Sequence, residues 1–272
     1  MIQAMLRNEG QKLLKRLGFW VALSAFAVIM GTSFGASYYG AHHGGMPFGL
    51  PSAWRSIVGG QALVGPFFMS VVIVLLISSE FEWRTARQNI IDGLSKEQWF
   101  LAKALLVPGL TVIFLGIYLL IGIGFTLPGT DFHAFNTVGA QDVEMFVGVI
   151  LCFLGMGSLA LFVSFVVRSP GPAMAVWLFY VAVLERLVAA ALVAYSDKMK
   201  PVVRWFPATI FQEFGNRLEY DSETVRKMIE QAPALHRPPP VVWGFGPLCL
   251  IATGWIVVLA GAAYLTYRRR DL

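Results

Sequence analysis

Two charges sit side by side inside an apolar run: Glu185 and Arg186, within residues 172–195. A charge at the bilayer centre costs about 2.5–3.5 kcal/mol on insertion scales, so such groups usually face a bundle interior or a wet cavity. Counted from residue 172, Glu185 lies about 20 Å along a helix rising 1.5 Å per residue. Adjacent helical positions point about 100° apart, so the two need not pair with each other. One reading makes both of them pathway-lining residues or part of an inter-subunit ion pair. The other is a shorter fifth span, with Arg186 snorkelling to the interface. Other chemistry is scarce. There is no GxxxxGKS/T, hence no usual P-loop for ATP, and no HExxH or GxSxG. His42, His43, His133 and His236 all fall in loops, and neighbours such as His42 and His43 are poorly placed to share a metal. Cys152 and Cys249 lie in apolar runs and make no disulfide framework. The sequence therefore assigns no catalytic residue and no metal ligand.

A second constellation is built for contact instead of catalysis. Residues 80–103 hold four acids and four bases between two charge-free runs, 56–79 and 104–130. Trp83, Ala86, Ile90, Ile91 and Leu94 recur at the spacing of one helix face. Gly93 can end that helix, and Ser95 with Gln98 reads as a capping box opening the next. A short amphipathic helix is thus expected at the mouth of two membrane helices. Its apolar face spans nothing and is available for lipid headgroups or another protein. Arg84, Arg87 and Asp92 flank it and can fix register, since charged rims give specificity more than affinity.

The 272-residue chain that carries these residues is 57% hydrophobic and 14% charged, with mean hydropathy +0.65. Soluble domains carry about 25% charged residues. An all-α integral membrane protein is expected. Stretches near the roughly 20 residues a span needs occupy 18–40, 57–79, 104–127, 145–167, 172–195 and 243–265. Six spans put both termini on one side. Residues 1–16 are too charged for a signal peptide's apolar core, so the first span is expected to be retained. Arg7, Lys12, Lys15 and Arg16, then Arg84, Arg87, Lys96 and Lys103, then Arg168, then Arg268, Arg269 and Arg270 cluster on one side. The opposite short loops, 41–56 and 128–144, hold only Arg55. The positive-inside rule makes the first side cytoplasmic. The net charge of +5 reflects this bias and is no sign of nucleic-acid binding.

Residues 1–16 read as a basic interfacial helix, with Ile2, Met5, Leu6, Leu13 and Leu14 dipping towards lipid. Gly31 and Gly35, Gly59, Gly60, the Gly65–Pro66 pair, and Gly155, Gly157 and Ser158 read as sites of tight helix packing or kinks. The extracytoplasmic loop 196–242 has seven bases and six acids. Within it Trp205, Phe206, Ile210, Phe211, Phe214 and Leu218 follow helical spacing, as in a helix lying in the outer interface. A second short helix is expected over 223–231, then a stiff extended run at Pro238–Pro240.

This order of parts resembles the permease subunits of the ABC-2 family. The local match begins at Glu80–Phe81–Glu82–Trp83–Arg84–Thr85, continues through Thr85–Ala86–Arg87, and reaches the basic Lys103 before the third span. Trp83 departs from it, since many relatives have glycine there. The resemblance implies one transmembrane domain over 1–272 and a coupling helix between spans two and three. That helix, with Trp83, Arg84, Arg87, Ile90, Ile91, Asp92 and Leu94, would meet a separate ATP-binding cassette ATPase. It also implies a second permease subunit, alike or related, and alternating access in an exporter of a bacterial or archaeal cytoplasmic membrane. ATP and magnesium would sit on the partner, with no cofactor on this chain. Two other classes stay open: a membrane scaffold or assembly factor that moves nothing, and an intramembrane enzyme using Glu185 and Arg186.

Overall fold

The computed structural model describes residues 2–43, 49, 64–91, 93–130, 140–220 and 243–269, and every extended element among them is helical. In chain order these are α1 (Ile2–Leu14), α2 (Leu17–His43), α3 (Val64–Glu82), α4 (Thr85–Ile91), α5 (Lys96–Ala104), α6 (Leu106–Thr126), α7 (Ala140–Val167), α8 (Pro170–Phe179), α9 (Glu185–Tyr195), α10 (Lys200–Val203), α11 (Pro207–Tyr220) and α12 (Phe245–Arg269). A π-helical turn, Tyr180–Leu184, joins α8 to α9. Six segments are long and apolar enough to cross a membrane: α2, α3, α5 with α6, α7, α8 through α9, and α12. Four of the six lie within a few residues of the sequence expectation at both ends; the third starts earlier than expected, at Lys96, because α5 runs on into α6. The expected start of the second span, together with Gly59 and Gly60, the helix at 223–231 and the Pro238–Pro240 run, lies outside the described residues.

The spans are not equivalent. In α3 and α7, 67% of the apolar window is buried, against 11% in the α8–α9 span. The first two form the core, and the others lean on them with one face each. α7 packs against α3 and α12 along the bundle and against α11 at one end. Its small residues make this approach feasible. A Cβ on Gly157 would fall 2.7 Å from Val107 and 2.8 Å from Met69. On Gly155 it would collide with Phe211 of α11. With no favourable water-driven term between helices in lipid, close backbone approach of this kind is what holds such bundles together. Gly31 behaves differently from expectation: it faces open space, and only Gly35 of that pair touches another helix, at Phe125.

Candidate functional site

The linker between the second and third spans is shaped by local stop and start signals. α3 ends at Glu82, and Arg84 takes a left-handed conformation, φ 57°. Such a residue breaks helical hydrogen bonding and lets the chain turn. α4 therefore begins only at Thr85, and Trp83 lies in the turn and not on the helix expected to include it. α4 is closed by Gly93 at φ 102°, whose amide donates to the Ile90 carbonyl (3.0 Å) while Leu94 donates to Asn89 (3.1 Å). These two bonds form a Schellman motif. The expected capping box then starts α5. Gln98 N–H donates to Ser95 Oγ, and the Gln98 side chain accepts from Ser95 N–H, both at 3.1 Å.

The face assigned to this helix divides in two. Ala86 is buried and Ile90 packs against the core, with Leu94 half-buried. Ile91 and Trp83 are 67% and 64% exposed, and Arg84 and Arg87 are exposed beside them. Asp92 lies outside the described residues. The surface on offer is thus Trp83, Arg84, Arg87 and Ile91, held from behind by Ala86 and Ile90. The Arg16 guanidinium covers one face of the Trp83 ring at 5.0 Å and reaches Ser79 Oγ, which ties the turn to the end of α1.

Behind this segment lies a cluster that sequence spacing did not disclose. The Lys103 ammonium, 1% exposed, donates to Glu80 (2.7 Å) and to Glu9. Lys12 donates to Glu9 (2.9 Å) and lies 3.4 Å from Glu80. Two acids and two bases from α1, α3 and α5 balance one another, as buried charges must. Burial alone would raise the Glu9 carboxyl, but Lys103 and Lys12 outweigh it and hold the group below its ordinary value. Burial alone would lower the Lys12 ammonium, but Glu80 and Glu9 outweigh it and raise the group. Both roots of the linker are thereby locked to the basic N-terminal helix. An aromatic box adjoins them: Phe81, Trp99, Phe165 and Tyr267 pack with ring centroids 5.1–6.4 Å apart, so α3, α5, α7 and α12 meet there. Each such contact contributes about 0.5–1.5 kcal/mol beyond area burial. The one legible hint of the cluster was charged residues at span ends, Glu80 and Lys103.

At the opposite end, Glu185 is 5% exposed and follows the π-helical turn. Its carboxylate accepts from the Ala208 amide (3.1 Å) and from the amide and hydroxyl (2.7 Å) of Thr209. These are the first orphan donors of α11, where the helix dipole favours negative charge. Arg186, next in sequence, is exposed on another face, so the pair do not meet. α11 is amphipathic as expected, and its apolar face packs on the protein. Ile210, Phe211 and Phe214 are buried, with Phe211 and Phe214 against the glycine face of α7. The missed signal was Pro207, a residue favoured at the first position of a helix.

A family model described as ABC-2 family transporter protein matches residues 5–184, well over half of the chain. The chain belongs to this family. It is accordingly a multi-pass membrane protein and the transmembrane component of a transporter. The match takes in α1, the linker and its ion cluster, and ends one residue before Glu185; α11 and α12 lie beyond it. No curated protein matches the chain.

Proposed function

We propose that the chain is the permease subunit of an ATP-driven exporter, working as a pair of permeases with a separate ATP-binding subunit. The observation that carries this reading is the construction of the 83–94 segment. A short helix, preceded by the left-handed turn at Arg84 and closed by Gly93, presents Arg87 and Ile91 outward with Trp83 and Arg84 of that turn beside them, and its roots are braced by the buried ion cluster and the aromatic box. A push on that surface reaches α1, α3, α5, α7 and α12 at once. Such a lever suits the transfer of an ATPase's closure into the spans. ATP and magnesium belong to the partner in this reading. In this reading this end and both termini face the cytoplasm, which the lysine and arginine asymmetry supports, and the resemblance to the family implies a bacterial or archaeal membrane. The α8–α9 span, least covered by its own chain, offers a face for the second permease, with Arg186 on its exposed side. Glu185, through α11, sets the outer wall of the path. The whole of 1–272 acts as one transmembrane domain.

The test follows the exposed residues. Ile91→Asp combined with Arg87→Glu is expected to release the ATPase on co-purification, or to uncouple its hydrolysis from transport, while the chain still inserts. A double variant that keeps its ATPase and its transport rate removes the coupling role.

A further inference from the structure

The buried side of the α8–α9 span follows a spacing that an α-helix cannot keep. Ala173, Trp177 and Glu185 are buried, Val181 and Ala189 are half-buried, and these residues recur every four positions. An α-helix turns about 100° per residue, so each step of four drifts by about 40°. Glu185, twelve residues beyond Ala173, would then point about 120° away from it. That is the direction in which Arg186 is now exposed. The π-helical turn at Tyr180–Leu184 removes the drift. Its hydrogen bonds reach one residue further than those of an α-helix, and the Glu185 amide accordingly donates to the Tyr180 carbonyl. Everything beyond the turn is delayed by about one residue, and Glu185 returns to within about 20° of Ala173.

Tyr180 supplies a second observation. Its side chain hydrogen-bonds that of Glu185, five positions on. Side chains that meet on an α-helix are three or four apart. Five apart they diverge by about 140°, and the delay of one residue cuts this to about 40°. Glu185 in turn accepts from Ala208 and Thr209 at the start of α11. One carboxylate therefore ties the first residue of the turn to the residue just past its end, and both to α11. No residue of the turn itself is fully buried, so core packing does not hold the wider coil. Single π turns inside α-helices are rare, and they are found frequently at functional sites.

We propose that the π turn is held by the seated Glu185 carboxylate, with Tyr180 as the positioning residue that keeps the carboxylate aimed at α11. Without that seat the span has a second register. Plain α-helix through the turn would bring Leu184, not Glu185, to within about 20° of Ala173. An apolar side chain would then face the amides of Ala208 and Thr209. The phase of one residue thus decides whether α11 starts on a carboxylate or on a leucine. With it goes the seat of Phe211 and Phe214 on the glycines of α7. The turn bears on the transport path only where α11 forms its outer wall, the reading proposed for Glu185. Its register does not depend on that reading, and a measurement of register alone lets the two fail separately.

Disulfide trapping in the full-length chain, with Cys152 and Cys249 replaced by Ala, makes that measurement. Thr209→Cys keeps both amide donors, and Leu184→Cys beside it reports the α register by crosslinking under mild oxidation. With Glu185 in place the 184–209 crosslink should be a minor product. Glu185→Ala should raise it about tenfold, as expected when a hydrogen-bonded charge no longer selects one register. Tyr180→Phe keeps the carboxylate, guards against a variant that fails to fold, and should raise the crosslink by a smaller factor. Deleting Ala182 removes the extra residue of the turn. A chain with that deletion and Glu185→Ala should return to the minor level, because Leu184 then points away from α11 in plain α-helix. Mere loosening would raise the crosslink with or without Ala182. A crosslink that either substitution leaves unchanged overturns the proposal, and so does one that rises equally in the deletion chain.

Discussion

Both ends of the bundle bury a carboxylate at the edge of a span, and they stabilise it by different means. At the linker end, Glu80 and Glu9 are matched by the ammonium groups of Lys103 and Lys12. At the far end, Glu185 forms no ion pair among the described residues and is held by two backbone amides and a hydroxyl of α11. An ion cluster joins three elements through four movable side chains. A capped helix start joins two elements through backbone that cannot move separately. The first is suited to an end where force enters and contacts must shift together. The second is suited to a wall that stays put.

The comparison is broken most severely by Lys103→Met. That change leaves Glu9 and Glu80 buried with only the half-exposed Lys12 to balance them. Removing one partner of a buried pair costs about 3–5 kcal/mol. Denaturation of the purified chain should show a loss of that order, and Glu80→Gln added to Lys103→Met should restore part of it. A loss below about 1 kcal/mol would mean that water already reaches the cluster. Glu185→Ala is expected to cost less, about 1.5–3 kcal/mol for hydrogen bonds to a charged group. Its effect should be local: hydrogen exchange should quicken at the start of α11 and stay unchanged in α1. Exchange that rises equally at both ends would erase the distinction between tether and wall.

How much of this was legible depends on the reach of each signal. Gly93 and the Ser95–Gln98 box act within a few residues, so the ends of α4 and α5 could be read directly. The six spans could be read because bilayer thickness sets a length. Trp83 was misplaced because one left-handed residue, Arg84, shifts the helix start, and no pattern of hydrophobicity reports it. The ion cluster joins positions 9, 12, 80 and 103, and sequence distance hides such pairs. The periodicity of α11 showed that one face is apolar. It did not show that the glycines of α7 were there to receive it.

Acid and base sharpen the same comparison with a smaller effect. The Glu9 carboxyl is held below its ordinary 4.5, so its stabilising contribution is complete above that pH and fades as pH falls through the lowered value. The Lys12 ammonium is raised above 10.5, so its contribution is complete below that pH and fades as pH climbs through the raised value. The attachment of α1 should therefore be level across the intervening range and weaken on both flanks. Melting curves of wild type against Glu9→Gln provide the measurement. Their difference should be flat from about pH 5 to 9 and shrink in acid; a difference that grows in acid would reverse the assignment.

The smallest effect on the chain itself is expected at Arg186, one residue from Glu185 and on another face. Glu185 is enclosed, while Arg186 is exposed with Leu187 and Val183 on a span of which only 11% is covered. Surface substitutions away from specific contacts usually stay within about 0.5 kcal/mol. Arg186→Ala should thus leave the unfolding of the isolated chain unchanged within that margin. Its consequence belongs to assembly. If the bare face of α8–α9 meets a second permease, a guanidinium beside the outer half of the span is either paired across that contact or lines the path beside it. Crosslinking through cysteines at Val183 and Leu187 should then join two permeases, and Arg186→Ala should reduce the yield or the transport rate without touching stability. Unchanged crosslinking and transport, alongside unchanged melting, would leave Arg186 as a headgroup-seeking side chain and move the permease contact to another span. A drop in melting temperature comparable to that of Glu185→Ala would show instead that the two neighbours share one structural task, contrary to their separation around the helix.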